Sequence, residues 1–290
     1  MLRVASLGSG SGGNSTLICS ATTTLLLDCG FTLKETTARC MALGITPAGI
    51  DGILLSHEHS DHVKGLGPIA RKLGVPIWST YGTYHAMKDR KFEGVSVISA
   101  HEPFSIGNID IDPFPTPHDA AESCQYVFNH GGKSFACVTD LGAVTPHVIK
   151  KIAACDALLV ESNYDEQMLR DGPYPPSLQS RIRSNYGHLG NEQAGKLLSN
   201  IDHAGLQTIL LGHLSEKNNS PNHAYQTVSE YIDRTERITV LDQHKESAWF
   251  ELGKRSGTSA VAPLDGLRDA PDQQERSPAQ LSDPSLTITA

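Results

Sequence analysis

The amino-acid sequence predicts an α/β (α+β) fold, an αββα sandwich in which two mixed β-sheets are flanked by helices. Two observations lead there. Short β-type runs recur along the chain, several of them continuously apolar, as strands covered on both faces must be. Helical patterns lie between them, and antiparallel pairs mixed with helices fit two sheets with helices outside.

The first runs fall at Val4–Leu7, Thr16–Cys19 and Thr24–Asp28, ahead of a helical pattern over Leu33–Leu43 that ends at Gly44, a suitable left-handed cap. Gly52–Ser56 precedes a helical pattern at Val63–Leu73 and a strand at Pro76–Ser79. Ile109–Asp112, Tyr126–Asn129 and Phe135–Thr139 follow. The last two belong to a hairpin, Cys124–Asp140, that turns at His130-Gly131-Gly132. Helical patterns at Pro146–Ala153, Asn191–Asn200 and Ala224–Arg234 alternate with strands at Ala157–Glu161, Thr208–Leu211 and Ile238–Leu241, and Asn191 is placed to cap its helix. After Leu252 the periodicity stops. One catalytic domain is expected over residues 1–253 and a disordered tail over 254–290, where Ser, Pro, Asp, Gln and Thr dominate.

With 290 residues and 39% hydrophobic content the chain can bury a sizeable core. No stretch of about 18 apolar residues occurs, so no transmembrane helix is expected. The opening Met1-Leu2-Arg3-Val4 enters a β-type run without the apolar stretch and cleavage site of a signal peptide, and a cytoplasmic protein is expected. Six scattered cysteines form no C-x-x-C pair, which argues against a zinc knuckle or a redox motif. The formal charge of −8 argues against a generally basic nucleic-acid-binding surface. The tail, with four basic and five acidic residues, does not account for that charge.

One segment carries the chemistry. His57, His59, Asp61 and His62 follow the apolar strand Ile53-Leu54-Leu55, placing four metal-competent side chains in six residues at a strand's end. Residues two apart in such a loop can converge on one ion while their neighbours face a second. Imidazole nitrogen and carboxylate oxygen suit Zn²⁺ first, and also Mn²⁺ or Fe²⁺. Two divalent ions about 3.5–4 Å apart can hold a bridging hydroxide and stabilise charge on the attacking and leaving oxygens.

The pattern H-x-H-x-D-H resembles the signature of the metallo-β-lactamase superfamily, which implies that fold and a dinuclear hydrolase. Position by position, Asp28 in Asp28-Cys29-Gly30 matches the buttressing aspartate, His118 the third imidazole of the first metal, Asp140 the bridging carboxylate, and His213 the last ligand of the second metal. The resemblance assigns His57, His59 and His118 to one ion and Asp61, His62 and His213 to the other. Asp61 is also placed to orient the attacking hydroxide, and Asp28 to hold an imidazole tautomer.

Four further segments resemble the YycJ (WalJ) family of bacterial exonucleases with this fold. They are Ser6 to Thr16, Glu161 to Asp165 with Gly172 to Pro175, Arg181 to Glu192, and His213 to Asn219. The resemblance covers about residues 1–252. It implies a cytosolic enzyme degrading double-stranded DNA from a 5′ end, with a link to mismatch repair. Ser9–Gly13, with Asn14, reads equally as a tight turn or as an anion cradle. His188 is a candidate for substrate contact or leaving-group protonation, with Glu161 either its support or a strand end. Arg181, Arg183 and Lys217 are candidate phosphate-binding charges. An RNase Z-like RNA-processing nuclease, a glyoxalase II-like thioesterase and a non-catalytic metal-binding regulatory protein are the alternatives. Metal identity and oligomeric state are not legible.

Overall fold

The chain opens with an antiparallel meander of β1 (Leu2–Gly8), β2 (Ser15–Cys19) and β3 (Thr24–Leu27) in the computed structural model, which describes residues 1–201 and 204–253. Helix α1 (Leu33–Ala42) leads to β4 (Gly52–Leu54), which lies parallel to β3. Then come α2 (Ser60–Val63), α3 (Leu66–Leu73), β5 (Ile77–Thr80), α4 (Tyr81–Ala86) and β6 (Val95–Ile98), with β5 and β6 added in parallel.

The second sheet begins with the antiparallel strands β7 (Phe104–Ile106), β8 (Ile109–Pro115), β9 (Cys124–His130) and β10 (Lys133–Val138). The chain continues through α5 (Pro146–Ile152), β11 (Ala157–Glu161), α6 (Glu166–Asp171), α7 (Pro176–Ile182), α8 (Asn191–Ile201), β12 (Thr208–Gly212), α9 (Pro221–Ser229) and β13 (Ile238–Val240). From β10 to β13 the pairing is parallel. Finally β14 (Phe250–Leu252) returns antiparallel to β1, so among the described residues each sheet has seven strands.

Three apolar clusters show the layering. Leu2, Val4, Leu25 and Leu54 of the first sheet meet Tyr126, Phe128, Phe135 and Leu210 of the second. Leu26, Ile53 and Ile77 pack on Cys40 of α1 and Leu66 and Ile69 of α3, while Leu158, Ile209 and Leu211 pack on Val148, Leu197 and Val228 of α5, α8 and α9. The molecule is the αββα sandwich that the sequence predicts. Among the described residues no helix is long and apolar enough to cross a membrane. The tail expected at 254–290 lies outside the described residues.

Several local expectations are corrected. The helix expected over Val63–Leu73 is two helices, because Gly65 packs against the loop after β3: its N–H donates to Cys29 O, and a Cβ there would lie 1.8 Å from Phe31 O. The helix expected at Ala224–Arg234 starts at Pro221, capped by Ser220, and ends at Ser229. Asn191 does not cap α8; it is buried, and its Oδ1 accepts from Ser162 Oγ and Asn219 Nδ2. The elements α4, α6, α7, β6, β7 and β14 were not expected, being too short to show a period.

Candidate metal centre

The strand ends of both sheets bring the site together. Asp28 follows β3, His57 to His62 follow β4, His118 follows β8, Asp140 follows β10, Glu161 ends β11 and His213 follows β12. Asp28, Asp140 and His213 have φ of 60°, 55° and 56°, and among the described residues they are the non-glycine positions with positive φ. A left-handed residue turns the chain sharply off its strand, and such strain persists only where the surroundings hold it. Around Asp28 its N–H donates to Leu54 O, and its carbonyl accepts from Ser15 Oγ at 2.6 Å.

The ring nitrogens and carboxylate oxygens fall into overlapping groups, each within 4.8 Å: His57, His59 and His118; His57, His62 and Asp140; Asp61, His62 and His213; and Asp140, Glu161, His188 and His213. Asp140 adjoins both His57 and His213, as expected of a group lying between two ions.

These residues fit divalent cations. His57 Nε2 is buried without a hydrogen-bond partner, and the buried Asp140 Oδ2 faces His62 Nε2 at 3.1 Å, an ion-pair contact. Burial and the neighbouring His62 push His57 well below the usual histidine range, so its ring is neutral and can offer a lone pair. Burial opposes a charge on His62, yet Asp140, Asp61 and Asp28 hold its proton affinity well above the ordinary value. Burial would likewise raise Asp61, but His62 and His213 keep it well below the usual carboxylate range. The cluster is short of positive charge, which cations supply.

The supports are as ordered as the candidate ligands. Asp28 Oδ1 accepts from the Ser56 N–H at 2.8 Å, while Oδ2 accepts from Ser56 Oγ at 2.7 Å and meets His62 Nδ1 at 2.8 Å. Ser56 Oγ also lies 3.0 Å from His57 Nδ1. With its hydrogen given to Asp28, that oxygen accepts from Nδ1–H and leaves His57 Nε2 for a cation. Glu161 Oε1 is 2.7 Å from both His188 Nδ1 and His213 Nδ1, and Oε2 accepts from the Leu141 and Leu189 N–H groups. Glu161 is fully buried. Of the two readings that the sequence allows for it, support of His188 or a strand end, it meets both: it closes β11, and its carboxylate lies against the His188 and His213 rings.

A cleft of about 220 Å³ opens over the centre, lined among others by Ser11, His59, Asp61, Tyr174, Arg181 and His188. Of the expected substrate contacts, Arg181 lies there, its Nε donating to the Asp119 carboxylate. Ser9 and Asn14 are buried and serve the centre from behind. Ser9 Oγ accepts from the His213 N–H and bonds Asn14 Oδ1, while Asn14 Nδ2 is 3.2 Å from both Asp61 Oδ2 and His62 Nε2. Arg183 pairs with Glu166, and neither it nor exposed Lys217 lines the cleft.

The beta-lactamase superfamily domain matches residues 23–214. The chain is 35% identical over 235 residues to exodeoxyribonuclease YycJ of Bacillus anthracis, covering 78% of this chain and 88% of the relative. It is 36% identical over 242 residues to exodeoxyribonuclease WalJ of Streptococcus pneumoniae, covering 81% and 90%. The chain belongs to the YycJ (WalJ) family. Its fold is also that of the metallo-β-lactamase fold protein YhfI of Bacillus subtilis, with a TM-score of 0.66 at 18% identity over 85% of this chain and 98% of that one.

For this YycJ-family chain, sequence reasoning missed Ser56, Asp119 and Tyr174 as parts of the site, whereas Ser11, which lines the cleft, falls in the Ser9–Gly13 loop read as a turn or an anion cradle. Ser56 had a signal, since it immediately precedes His57. Asp119 had one also, beside His118. Tyr174 reaches the cleft through a loop path that no local pattern encodes.

Proposed function

We propose that the chain is a metal-dependent exodeoxyribonuclease that hydrolyses phosphodiesters from the 5′ ends of double-stranded DNA. The observation that carries this is His188 in the cleft, its Nδ1 fixed by buried Glu161, beside two clusters of candidate ligands and the guanidinium of Arg181. The Bacillus anthracis and Streptococcus pneumoniae relatives, matched along most of their length, are named exodeoxyribonucleases, which supports the substrate class.

His57, His59 and His118 would hold one cation, Asp61, His62 and His213 a second, and Asp140 both, with Zn²⁺ favoured and Mn²⁺ or Fe²⁺ also suited. Bound cations supply Lewis acidity that activates water and offsets phosphate charge. Asp61 orients the attacking water through its carboxylate. Burial disfavours a charge on His188, but Glu161 overrides it and keeps the ring's proton affinity raised, which suits a ring that gives a proton to the leaving oxygen. Arg181 supplies fixed positive charge for the phosphate, a local exception to the −8 of the chain. Six buried free thiols accord with work in the reducing cytosol.

The test is hydrolysis of end-labelled duplex DNA after chelation and restoration of Zn²⁺ or Mn²⁺. Metal-dependent release of 5′ nucleotides by wild type, with none from Asp61→Ala or His57→Ala that keep native circular dichroism, is expected. Turnover of a thioester or a pre-tRNA with no DNA cleavage would overturn the reading.

A further inference from the structure

On one wall of the cleft the nuclease reading gives work to Arg181 and none to the apolar side chains beside it. Leu178, Arg181 and Ile182 all line the cleft, and their spacing of three and four residues along α7 puts them on one helical face. Tyr174 lines the cleft just before that helix, and Tyr174 and Leu178 pack on the small apolar cluster of Tyr164, Leu169 and Ile182. A half-open aromatic and aliphatic surface beside a charged centre does nothing for a cation.

This wall is held in register with the reacting groups. Gln179 Nε2 donates to Tyr174 O at 2.9 Å and fixes the approach to the helix. The His188 N–H donates to Ile182 O at 2.9 Å, so the far end of α7 is tied to the proposed proton donor. Gly187, next to His188, offers its carbonyl 3.2 Å from His118 Nδ1. Arg181 is anchored on Asp119, the neighbour of His118.

We infer that this wall is a nucleobase subsite: Tyr174 and Leu178, backed by buried Ile182, receive the base of the terminal nucleotide while Arg181 takes its phosphate. The inference rests on the nuclease reading and names what that site recognises. At about 220 Å³ the cleft is smaller than the roughly 300–1,000 Å³ that encloses a drug-sized ligand, so a base pair does not fit within it. The terminal base must therefore leave its partner before hydrolysis, a rearrangement least unfavourable at frayed or mismatched ends. Stacking on a ring and contact with aliphatic carbons suit every base, so the subsite selects for a base without selecting its identity.

The experiment compares KM for metal-restored protein on two duplexes, one with an intact 5′-terminal nucleotide and one abasic there. Wild type should show a KM about tenfold higher on the abasic end, from one lost stacking contact. Tyr174→Ala and Tyr174→Leu should raise KM on the intact end by about the same factor and no longer distinguish the two substrates, while Tyr174→Phe behaves as wild type. Tyr174→Leu keeps the apolar packing of the cluster, so its loss of discrimination reports the ring and not the fold. Equal discrimination by wild type and Tyr174→Leu overturns the subsite and leaves the nuclease reading standing. Absence of hydrolysis of either duplex by wild type overturns both.

Discussion

Glu161 holds His188 by a 2.7 Å contact between Oε1 and Nδ1 from a fully buried position. The same oxygen meets His213, a candidate metal ligand, so one carboxylate orients a proposed proton donor and a ligand together. Two backbone N–H groups fix the other oxygen, and the carboxylate has no second orientation to adopt.

Glu161→Gln should therefore lower kcat/KM on duplex ends by about 10- to 100-fold with little change in secondary structure. The amide keeps one oxygen for the backbone donors but presents N–H to two imidazole nitrogens that now face a carboxylate. Both turnover and metal content should fall. Unchanged kinetics and metal content in this variant would show that the pairing does not position the site.

Asp28 and Ser56 give a second prediction, one about cation affinity. Ser56 Oγ links Asp28 to His57, and Asp28 meets His62 directly, so loss of either frees an imidazole tautomer. Ser56→Ala should weaken Zn²⁺ binding about tenfold and Asp28→Asn by up to about 100-fold, read by competition with a chromophoric chelator. Asparagine tolerates the left-handed backbone that Asp28 adopts, so the fold should survive the second substitution. Wild-type affinity in both variants would sink the proposal that these two groups orient the ligands.

How far the sequence reaches is clearest at this centre. His57 to His62 announce themselves because four ligand-type side chains crowd the end of an apolar strand, and the period-2 and apolar runs place most of the sheet strands. His118, Asp140 and His213 come only through their resemblance to a family pattern, because each lies far away in the chain and is ordinary in its local setting. Nothing local encodes the left-handed turns at Asp28, Asp140 and His213, which tertiary packing imposes. Ser9 and Asn14 show the converse: glycine-rich surroundings suggest an anion cradle, yet both side chains are spent inside the protein, on His213 and Asp61. Helices as short as α6 and α7 leave no readable period, although α7 builds a wall of the cleft.

The cysteines give a prediction about pH. Burial, reinforced by Cys19, pushes the Cys40 thiol up to about 12, and burial raises Cys124 to about 12 as well. Thiols near 9 in the unfolded chain and near 12 in the folded one bind more protons when folded. Their contribution to stability is therefore intact below pH 9 and declines as pH rises from 9 toward 12. Native protein at pH 8 should react with none of its six thiols in a disulfide-exchange assay, and guanidinium-unfolded protein with all six. Rapid native labelling of Cys40 would contradict the burial on which this rests.

The last prediction concerns the glycine loop and its latch. Gln243 Oε1 accepts from the Gly12 N–H at 2.6 Å, and its Nε2 donates to Glu216 at 2.7 Å. A Cβ on Gly12 would lie 2.8 Å from Gln243 Nε2, the far end of a flexible side chain, so the Gln243 amide must move aside to admit it. The loop it holds carries Ser9 and Asn14, which reach His213, Asp61 and His62. Gln243→Ala should destabilise the fold by about 0.5–1.5 kcal/mol, the usual contribution of a hydrogen bond, and weaken cation binding in step. Gly12→Ala should be mildly destabilising in the wild-type background, where it displaces the Gln243 amide, and nearly neutral beside Gln243→Ala, where no amide is left to displace. Non-additivity of that sign, measured by thermal unfolding of the four proteins in a double-mutant cycle, is the signature of direct contact. Strict additivity would mean that the latch does not hold the loop in solution.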